Sequence, residues 1–297
     1  MAQPVWLSFT VQSCHAGLTL RDFLRGQQVS ATLIKAVKYR GSGFFADGVP
    51  VFTDLRVQPG MTVRFALPPE EPTTVEPQDI PLTIRYEDDH AALLDKPAGM
   101  AVHPTLNAAD GTLANGWMGL MARRGEEAVF RPVNRIDRDT SGLVLCAKNA
   151  YAAPILAQNV QKVYLAVLEG EPSAPQGEIA APIARAEGSI ILRRVAEGGK
   201  PSLTRYSIVA RGGGLCLAAA VPVTGRTHQL RVHFAHIGCP LAGDELYGGG
   251  RSRIGRQALH CARMTFTAPG GGLRQVDCPL PPDMEALCRD MEPLTEV

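Results

Sequence analysis

Apolar residues near the start of the chain follow a helical spacing and then give way to short strand-like runs. The helical spacing covers residues 20–24 and 33–37, and a hydroxyl residue, Thr19 or Ser30, stands before each stretch where it can cap the helix. Short β-like runs with turn signals follow at residues 44–45, 49–52 and 61–67. The pattern predicts a small unit of two helices and a strand cluster.

Strand patterns outnumber helical ones in the rest of the chain. Apolar runs predict strands at residues 91–94, 143–147 and 163–168. In the last of these, successive side chains would point alternately to the two faces of the sheet. Glycine triplets at residues 212–214, 248–250 and 270–272 are typical of loop tips. We therefore expect an α+β protein whose mixed sheet has a few flanking helices.

The stretch LPPEEPTTVEPQDI, residues 67–80, marks the best domain boundary. It has four prolines, four acids and few large apolar residues, which is typical of an extended linker. The sequence thus predicts a small domain at residues 1–66, a linker at 67–80 and a larger domain at 81–297.

Composition excludes several classes of protein. Apolar residues make up 45% of the chain and charged residues 20%, as in ordinary globular proteins. The longest apolar run, at residues 215–223, is too short for a membrane helix, which needs about 20 residues, and no secretory signal is expected. The seven cysteines are scattered, odd in number and without a CxxC pair, so we expect a reduced, cytoplasmic protein.

The net charge of +1 conceals a segregation of charges along the chain. Lys and Arg outnumber Asp and Glu by seven to three in residues 1–66, and by six to two in both 185–211 and 222–263. Basic patches of this kind can bind phosphates on a nearly neutral molecule, although ordinary solvated faces show the same pattern. Charge therefore permits RNA binding without establishing it.

Residues 134–142, NRIDRDTSG, form the densest polar stretch and directly precede a predicted strand. The stretch carries two carboxylates, two guanidinium groups and two hydroxyls. At the mouth of a cleft, an arginine would keep a carboxylate ionised and could also bind a phosphate group. A solvated loop with a Thr-Ser-Gly turn is the simpler alternative from composition alone.

A second polar stretch, residues 224–238, has the pattern of a helix. Leu230, Phe234 and Ile237 share one face, Thr227 is placed to cap the start, and Gly238 is placed to end the helix.

Two other faces of this helix bear on chemistry. His228 and Arg231 lie three residues apart near the N-terminus, where basic groups and free N–H groups suit an anion. His233 and His236 have a spacing that could share a metal, but no acidic or cysteine ligand completes a set, so no metal site is predicted. The sequence has no Walker loop and no G-x-G-x-x-G motif after a strand, so no nucleotide cofactor is predicted either.

Four motifs together resemble the RluA-like family of RNA pseudouridine synthases. They are LLDKPAGMAVHP (93–104), NRIDRDTSGLVLCAK (134–148), KVYLAVLEG (162–170) and GRTHQLRVHFAHIGCPLAGDELYG (225–248), in the family's order and spacing. The resemblance covers residues 80–297 and implies a mainly antiparallel sheet with flanking helices and a basic cleft. The first 66 residues resemble, more loosely, the αL-type RNA-binding module that often precedes this catalytic domain.

The resemblance implies a cofactor-free isomerisation of uridine to pseudouridine. Asp137 matches the essential carboxylate, Tyr164 the tyrosine that stacks on the target base, and Arg231 the arginine that pairs with the aspartate. Asp137 would act either as nucleophile on the sugar or as base at the ribose. Candidates for contacts to the RNA are Arg135, Thr140, Lys148, Arg226, His228 and Gln229.

Asn134 and Ile136 depart from the family pattern, which usually has His and Leu at these positions. The resemblance favours ribosomal RNA as substrate, with transfer RNA as the second choice, and a monomer. Two other functions are compatible with parts of the sequence. One is an inactive RNA-binding protein of the same fold, and the other is a glycosyl hydrolase using Asp137 and Asp139. Two carboxylates two residues apart on an extended segment would point to opposite faces, which disfavours the hydrolase.

Overall fold

The structure, a computed structural model, describes residues 4–70, 73–105, 108–126, 128–158 and 160–294, and it is an α+β fold in which strands predominate. The helices are α1 (Leu20–Gly26), α2 (Ala31–Arg40), α3 (Leu113–Arg124), α4 (Ala152–Leu156), α5 (Gln229–His236) and α6 (Pro282–Cys288). The strands are β1 (Trp6–Thr10), β2 (Phe44–Ala46), β3 (Val49–Val51), β4 (Thr62–Ala66), β5 (Thr83–Glu87), β6 (Ala91–Lys96), β7 (Arg131–Pro132), β8 (Ser141–Ala147), β9 (Gln161–Glu169), β10 (Gln176–Ala180), β11 (Ile183–Arg185), β12 (Arg193–Val195), β13 (Leu203–Gly212), β14 (Leu215–Pro222), β15 (Leu259–Thr267), β16 (Leu273–Asp277) and β17 (Glu292–Pro293). No helix within the described ranges is long and apolar enough to cross a membrane.

The N-terminal part folds as a small α+β unit, as the sequence predicts. Its antiparallel sheet has the order β1-β4-β2-β3. Both predicted caps are confirmed, because the Thr19 hydroxyl accepts the amide N–H of Asp22 and the Ser30 hydroxyl accepts that of Leu33. The strand β1, which the sequence reading did not identify, pairs with β4 along its whole length. Apolar side chains of both helices and of the sheet share one buried core.

The segment 73–80, which precedes α3 in the chain, packs closely against that helix. It contains no helix or strand, yet Val75 is buried, and the Asn115 side chain donates to the carbonyl of Glu76 at 2.8 Å. A Cβ atom on Gly119 would lie only 1.9 Å from the carbonyl oxygen of Gln78. The extended segment thus lies against a helix face that is flat at this glycine.

The large sheet has the order β10-β13-β14-β9-β15-β8-β6-β5, with β7, β16 and β17 attached at its sides. All pairs in it are antiparallel except β15 with β8, so the predicted mixed and mainly antiparallel sheet is confirmed. The strand β8 is buried along its full length. Its Leu143 and Leu145 join the core that contains Phe234 of α5, whereas Val144 joins the core that contains Trp117 of α3. The sheet therefore lies between these two helices.

The small unit and the large sheet share packing at α4. Tyr151, at the start of α4, and Ile155 within it belong to the apolar core of the N-terminal unit. The Tyr151 hydroxyl donates to the carbonyl of Gln27 at 3.2 Å. Because α4 directly follows β8 and its connecting loop, this contact ties the N-terminal unit to the strand that also carries the polar 134–140 loop.

Candidate active site

The loop at residues 134–140 is fixed to the strand that follows it. The Asn134 amide donates to the carbonyl of Leu143 at 3.3 Å, and its carbonyl oxygen accepts the N–H of Leu145 at 2.8 Å. The amide of Thr140 donates to the carbonyl of Asp137 at 3.1 Å and closes a turn. These bonds place Asp137 directly before the N-terminal end of β8.

Lys96 supports this loop from beneath. Its side chain is fully buried, and Nζ donates to the carbonyls of Pro97, Met100 and Arg138 at 2.8, 2.7 and 2.8 Å. Burial lowers the pKa of Lys96 to about 7, against the opposing effect of Asp139 and Asp137. Lys96 belongs to the first of the four motifs. No sequence pattern singles it out, because its hydrogen-bond acceptors are backbone carbonyls, which any residue type can provide.

Gly142 allows the strand to pass close to β15. It adopts a φ of +105°, and a Cβ atom there would lie 2.4 Å from the carbonyl oxygen of Cys261. The neighbouring Ser141 hydroxyl lies 2.9 Å from Nδ1 of His260 on the same strand, β15. The Thr-Ser-Gly sequence therefore lies where β8 passes close to β15, and it is not a solvated turn.

Arg231 joins Asp137 to a second carboxylate. Its Nη1 donates to Asp137 Oδ2 at 3.1 Å, while Nε and Nη2 both donate to Asp244 at 2.7 Å. Burial alone would lower the pKa of Arg231, but Asp244 and Asp137 raise it above its ordinary value, so the guanidinium stays charged. Asp244 is 2% exposed and was not identified from the sequence, because it is 13 residues away along the chain.

His228 lies next to the same carboxylate. Its Nε2 is 3.7 Å from Asp137 Oδ2, and its Nδ1 is 2.7 Å from the hydroxyl of Tyr247, whose ring lies over Arg231 at 4.9 Å. Burial lowers the pKa of His228, so it is mainly neutral at pH 7. Its φ of +57° is unusual for a residue with a side chain, and such backbone strain is often found at functional sites.

The predicted cap at Thr227 is wrong. His228 occupies the N-cap position of α5 and makes no capping bond with its side chain. The side chain of Gln229 instead fixes the turn before the helix, because its carbonyl oxygen accepts the amide N–H of Arg226 at 3.0 Å. The predicted end of the helix is confirmed, since Gly238 has a φ of +78° just beyond it.

Tyr164 completes the group of central side chains. It lies on β9, is 7% exposed, and faces Cys261 of β15 in the register of the two strands. Burial raises the pKa of the Tyr164 phenol well above its ordinary value, so the hydroxyl stays protonated.

A cleft of about 940 Å³ brings these groups together. Asp137, Tyr164 and Arg231 all line it, although they come from a loop, a strand and a helix. A carboxylate held by a guanidinium in a cleft that also contains an aromatic residue can perform nucleophilic or general-base chemistry on a ligand that the ring positions.

Comparisons with known proteins agree with this geometry. The family model described as RNA pseudouridylate synthase matches residues 90–236. The RNA pseudouridine synthase YhcT of Bacillus subtilis is 38% identical over 247 residues, which cover 80% of this chain and 82% of that one. The ribosomal large subunit pseudouridine synthase D of Zymomonas mobilis is 39% identical over 251 residues, or 76% of this chain and 77% of that protein.

The chain belongs to the RNA pseudouridine synthase family. Among solved structures, the human RNA pseudouridylate synthase domain containing 1 resembles it with a TM-score of 0.59 at 28% identity, covering 77% of this chain and 93% of that one. The protein is accordingly an RNA pseudouridine synthase and an isomerase, and the comparisons do not favour an inactive RNA-binding protein.

The synthase places the six candidate RNA-binding residues in three different settings. Arg135 and Arg226 are exposed where they line the cleft, and His228 lines it more deeply. Thr140 and Gln229 also line it but are buried, and the Gln229 amide donates to Leu203 and Thr204. Lys148 does not line the cleft; its Nζ is paired with Glu87 at 2.8 Å.

Asp139 does not converge on Asp137, but the reason predicted from sequence is wrong. The segment turns at residues 138–139 instead of running extended. The Asp139 carboxylate pairs with Arg138 at 3.1 Å and does not line the cleft. The two carboxylates thus face different partners across a turn, which does not suit an acid–base pair of a hydrolase.

His233 is a structural residue. Its Nδ1 lies 2.9 Å from the Thr204 hydroxyl, and its Nε2 lies 2.9 Å from the carbonyl of Ala181. Both ring nitrogens therefore have protein partners in the buried interior. In the described part of the chain, no group of three or more His, Cys, Asp or Glu side chains is arranged to bind a metal ion.

Proposed function

We propose that the protein converts uridines of ribosomal RNA to pseudouridine, with Asp137 as the catalytic carboxylate. The observation that carries this proposal is the contact between Asp137 and Arg231 inside the 940 Å³ cleft. Ribosomal RNA is the favoured substrate because the Zymomonas mobilis relative is named a ribosomal large subunit pseudouridine synthase. Transfer RNA is the second choice, and we propose that the protein acts in the cytoplasm as a monomer.

Asp137 would act at the ribose in one of two ways. As a nucleophile, its carboxylate bonds to C1′ while the N1–C1′ electrons leave with the uracil, and this ester bond breaks again when C5 attacks C1′. As a base, it takes the proton from C2′, the C2′–H electrons form a C1′=C2′ double bond that expels the uracil, and the proton returns to C2′ when C5 bonds to C1′. In both routes the uracil anion turns between these steps, the hydrogen on C5 leaves as a proton, and N1 takes up a proton. Arg231 would hold the Asp137 carboxylate in position in this partly enclosed cleft, because its Nη1 donates to Asp137 Oδ2 at 3.1 Å.

Tyr164 would hold the target base. Its ring is part of the cleft wall, and a base that stacks on an aromatic side chain gains about 1–3 kcal/mol. The uridine must leave its own stack to reach this ring, at a cost of a few kcal/mol. The stacking contact and contacts to flanking phosphates together offset that cost.

Arg135 and Arg226 are the best placed of the candidates for such phosphate contacts. Both are exposed where they line the cleft, and neither forms an ion pair with an acidic residue that the structure describes. We assign His228 to the same role closer to the reacting sugar. Gln229 would act through the backbone that it fixes, and Thr140 through the Gln257 side chain, which donates to its hydroxyl at 3.3 Å. Lys148 would reach RNA only outside the cleft.

The N-terminal unit would add affinity for RNA. It carries seven Lys and Arg against three Asp and Glu in residues 1–66, and it packs on α4 of the catalytic part. We retain the division into a binding domain (1–66), a linker (67–80) and a catalytic domain (81–297).

The test is tritium release from uridine labelled at C5. Ribosomal and transfer RNAs, transcribed without modified nucleotides, are incubated with wild type, Asp137→Ala and Asp139→Ala. We expect release by wild type, a loss of at least about a hundredfold for Asp137→Ala, and release close to wild type for Asp139→Ala. The last is a matched control, because that carboxylate does not line the cleft.

Equal release by Asp137→Ala and wild type would overturn the role of Asp137. Absence of release by wild type from every RNA, including RNA from cells that lack the gene, would overturn the activity on these substrates. Release from transfer RNA alone would replace the proposed substrate.

A further inference from the structure

A short basic hairpin stands beside the active site, within the charged stretch 185–211. Its strands β11 and β12 are antiparallel, and Arg185 lies directly opposite Arg193 in their register. Like charges directly opposite each other on neighbouring strands are destabilising. Lys200 is fixed next to them, because its main chain exchanges hydrogen bonds with Ile183 at 2.9 and 3.0 Å. Three cations are thus brought close together by the backbone itself.

These cations and Arg226 line a groove of about 460 Å³. None of the four forms an ion pair with an acidic residue that the structure describes, and the two acids of this region, Glu187 and Glu197, do not line the groove. The Nη1 of Arg193 donates instead to the carbonyls of residues 190–192, at the tip of the hairpin. A groove with four cations and no acid among its lining residues suits a polyanion.

The groove adjoins the catalytic cleft. Gly225, Arg226 and Thr227 line both of them. The amide N–H of Arg193 donates to the Tyr247 hydroxyl at 3.1 Å, and that hydroxyl is 2.7 Å from Nδ1 of His228. A strand of RNA that leaves the catalytic cleft past Arg226 would therefore meet the groove next.

We propose that this groove binds the phosphates of the RNA strand adjoining the target uridine. The proposal rests on the proposed function and adds a second site, outside the catalytic cleft, to it. Arg185 and Lys200 supply contacts that do not depend on base identity, since side-chain cations bind backbone phosphates without reading sequence. Their role is to offset the cost of unstacking the uridine, and they touch none of the reacting atoms.

The test compares a double variant, Arg185→Gln with Lys200→Gln, with the matched control Arg194→Gln. Arg194 lies on the same strand as Arg193 but does not line the groove. The probe is ribosomal RNA transcribed without modified nucleotides, and its Kd is measured over a range of salt concentrations. Loss of two phosphate contacts to a single strand lowers the slope of log K against log salt by about 1.4. We expect Kd to rise roughly tenfold at low salt, with the control unchanged.

Tritium release adds a second readout. Because neither Arg185 nor Lys200 lines the catalytic cleft, the double variant should raise KM and leave kcat near that of wild type. A Kd and a salt slope equal to those of Arg194→Gln would overturn the proposal, and so would a fall in kcat without a change in Kd. If wild type binds the RNA but releases no tritium, the proposed function fails on this RNA, while the comparison of salt slopes still decides whether the groove binds phosphate.

Discussion

The paired carboxylates around Arg231 lead to a measurable expectation for Asp244. Asp244 is 2% exposed and accepts two hydrogen bonds of 2.7 Å from the guanidinium. Replacing it with Asn keeps the shape but removes one charge and turns one acceptor into a donor that faces an N–H group of Arg231. A buried guanidinium then has only Asp137 as its counter-ion.

The magnitude follows from burial. Removing one partner of a buried ion pair costs about 3–5 kcal/mol. The remaining contact to Asp137, at 3.1 Å, places the expected loss for Asp244→Asn at the lower end, about 3 kcal/mol. Activity should fall as well, because Arg231 loses the two bonds that fix its orientation toward Asp137.

The chain offers a matched control in Asp283. Its carboxylate also accepts two bonds from one guanidinium, that of Arg256, at 2.7 and 2.9 Å. Its side chain is 44% exposed, however, against 1% for Asp244. We expect Asp283→Asn to cost no more than about 1 kcal/mol, as is typical of exposed pairs. Urea unfolding of both variants gives the free energies of unfolding, and tritium release gives the activities.

Equal losses of stability in the two variants would refute the argument from burial. A stable Asp244→Asn protein with wild-type kcat would show that Arg231 does not need Asp244 for its orientation. A destabilised protein with normal kcat under folding conditions would restrict the effect of Asp244 to stability.

Three further changes have defined outcomes. Burial lowers the pKa of Lys96 to about 7, whereas the pKa of a lysine in the unfolded chain is about 10.4. At a pH between these two values, the unfolded state therefore binds more protons than the folded state. Stability contributed by this group should therefore rise with pH, by up to about 1.4 kcal/mol per unit, and Lys96→Met should lack that rise in urea unfolding between about pH 7 and 9. Gly142→Ala should lower the free energy of unfolding by more than about 1 kcal/mol, because its Cβ would meet the Cys261 backbone at 2.4 Å, and an unchanged urea midpoint would contradict this. Gly119→Ala should displace residues 73–80 from α3, since its Cβ would lie 1.9 Å from the Gln78 carbonyl oxygen. Amide hydrogen exchange at residues 76–80 should become faster than in wild type, and equal exchange rates in the two proteins would contradict the packing of this segment on α3.

Local patterns in the sequence predicted the elements whose stability is local. The caps of α1 and α2 and the end of α5 depend on residues within four positions of each other, and all three are confirmed. The helix α3 escaped prediction because it contains Gly116 and Gly119, which weaken a helical pattern. Its close contact with segment 73–80, which requires the small residue at position 119, is a tertiary reason for the glycine.

The site residues divide in the same way. Asp137, Tyr164 and Arg231 were found through motifs, and the structure brings them into one cleft, while their catalytic roles remain predictions. Lys96 and Asp244 lie within the motifs, but Arg138 and Arg231, which they contact, are 42 and 13 residues away, so no local pattern indicates these contacts. The cap at Thr227 was misassigned because His228 adopts the αL conformation, at a point where it contacts Tyr247 and Asp137 from elsewhere in the chain.

The place of β15 in the sheet has a consequence for the order of folding during synthesis. Strands β5, β6 and β8 can pair as soon as residue 147 has left the ribosome, and β9, β10, β13 and β14 as soon as residue 222 has. The two groups have no common edge until β15, residues 259–267, enters between β8 and β9. Asp137 is attached to the first group and Tyr164 to the second. In the nascent protein, Asp137 and Tyr164 are therefore not held together until β15 has been made, and the two partial sheets each present an open edge until then.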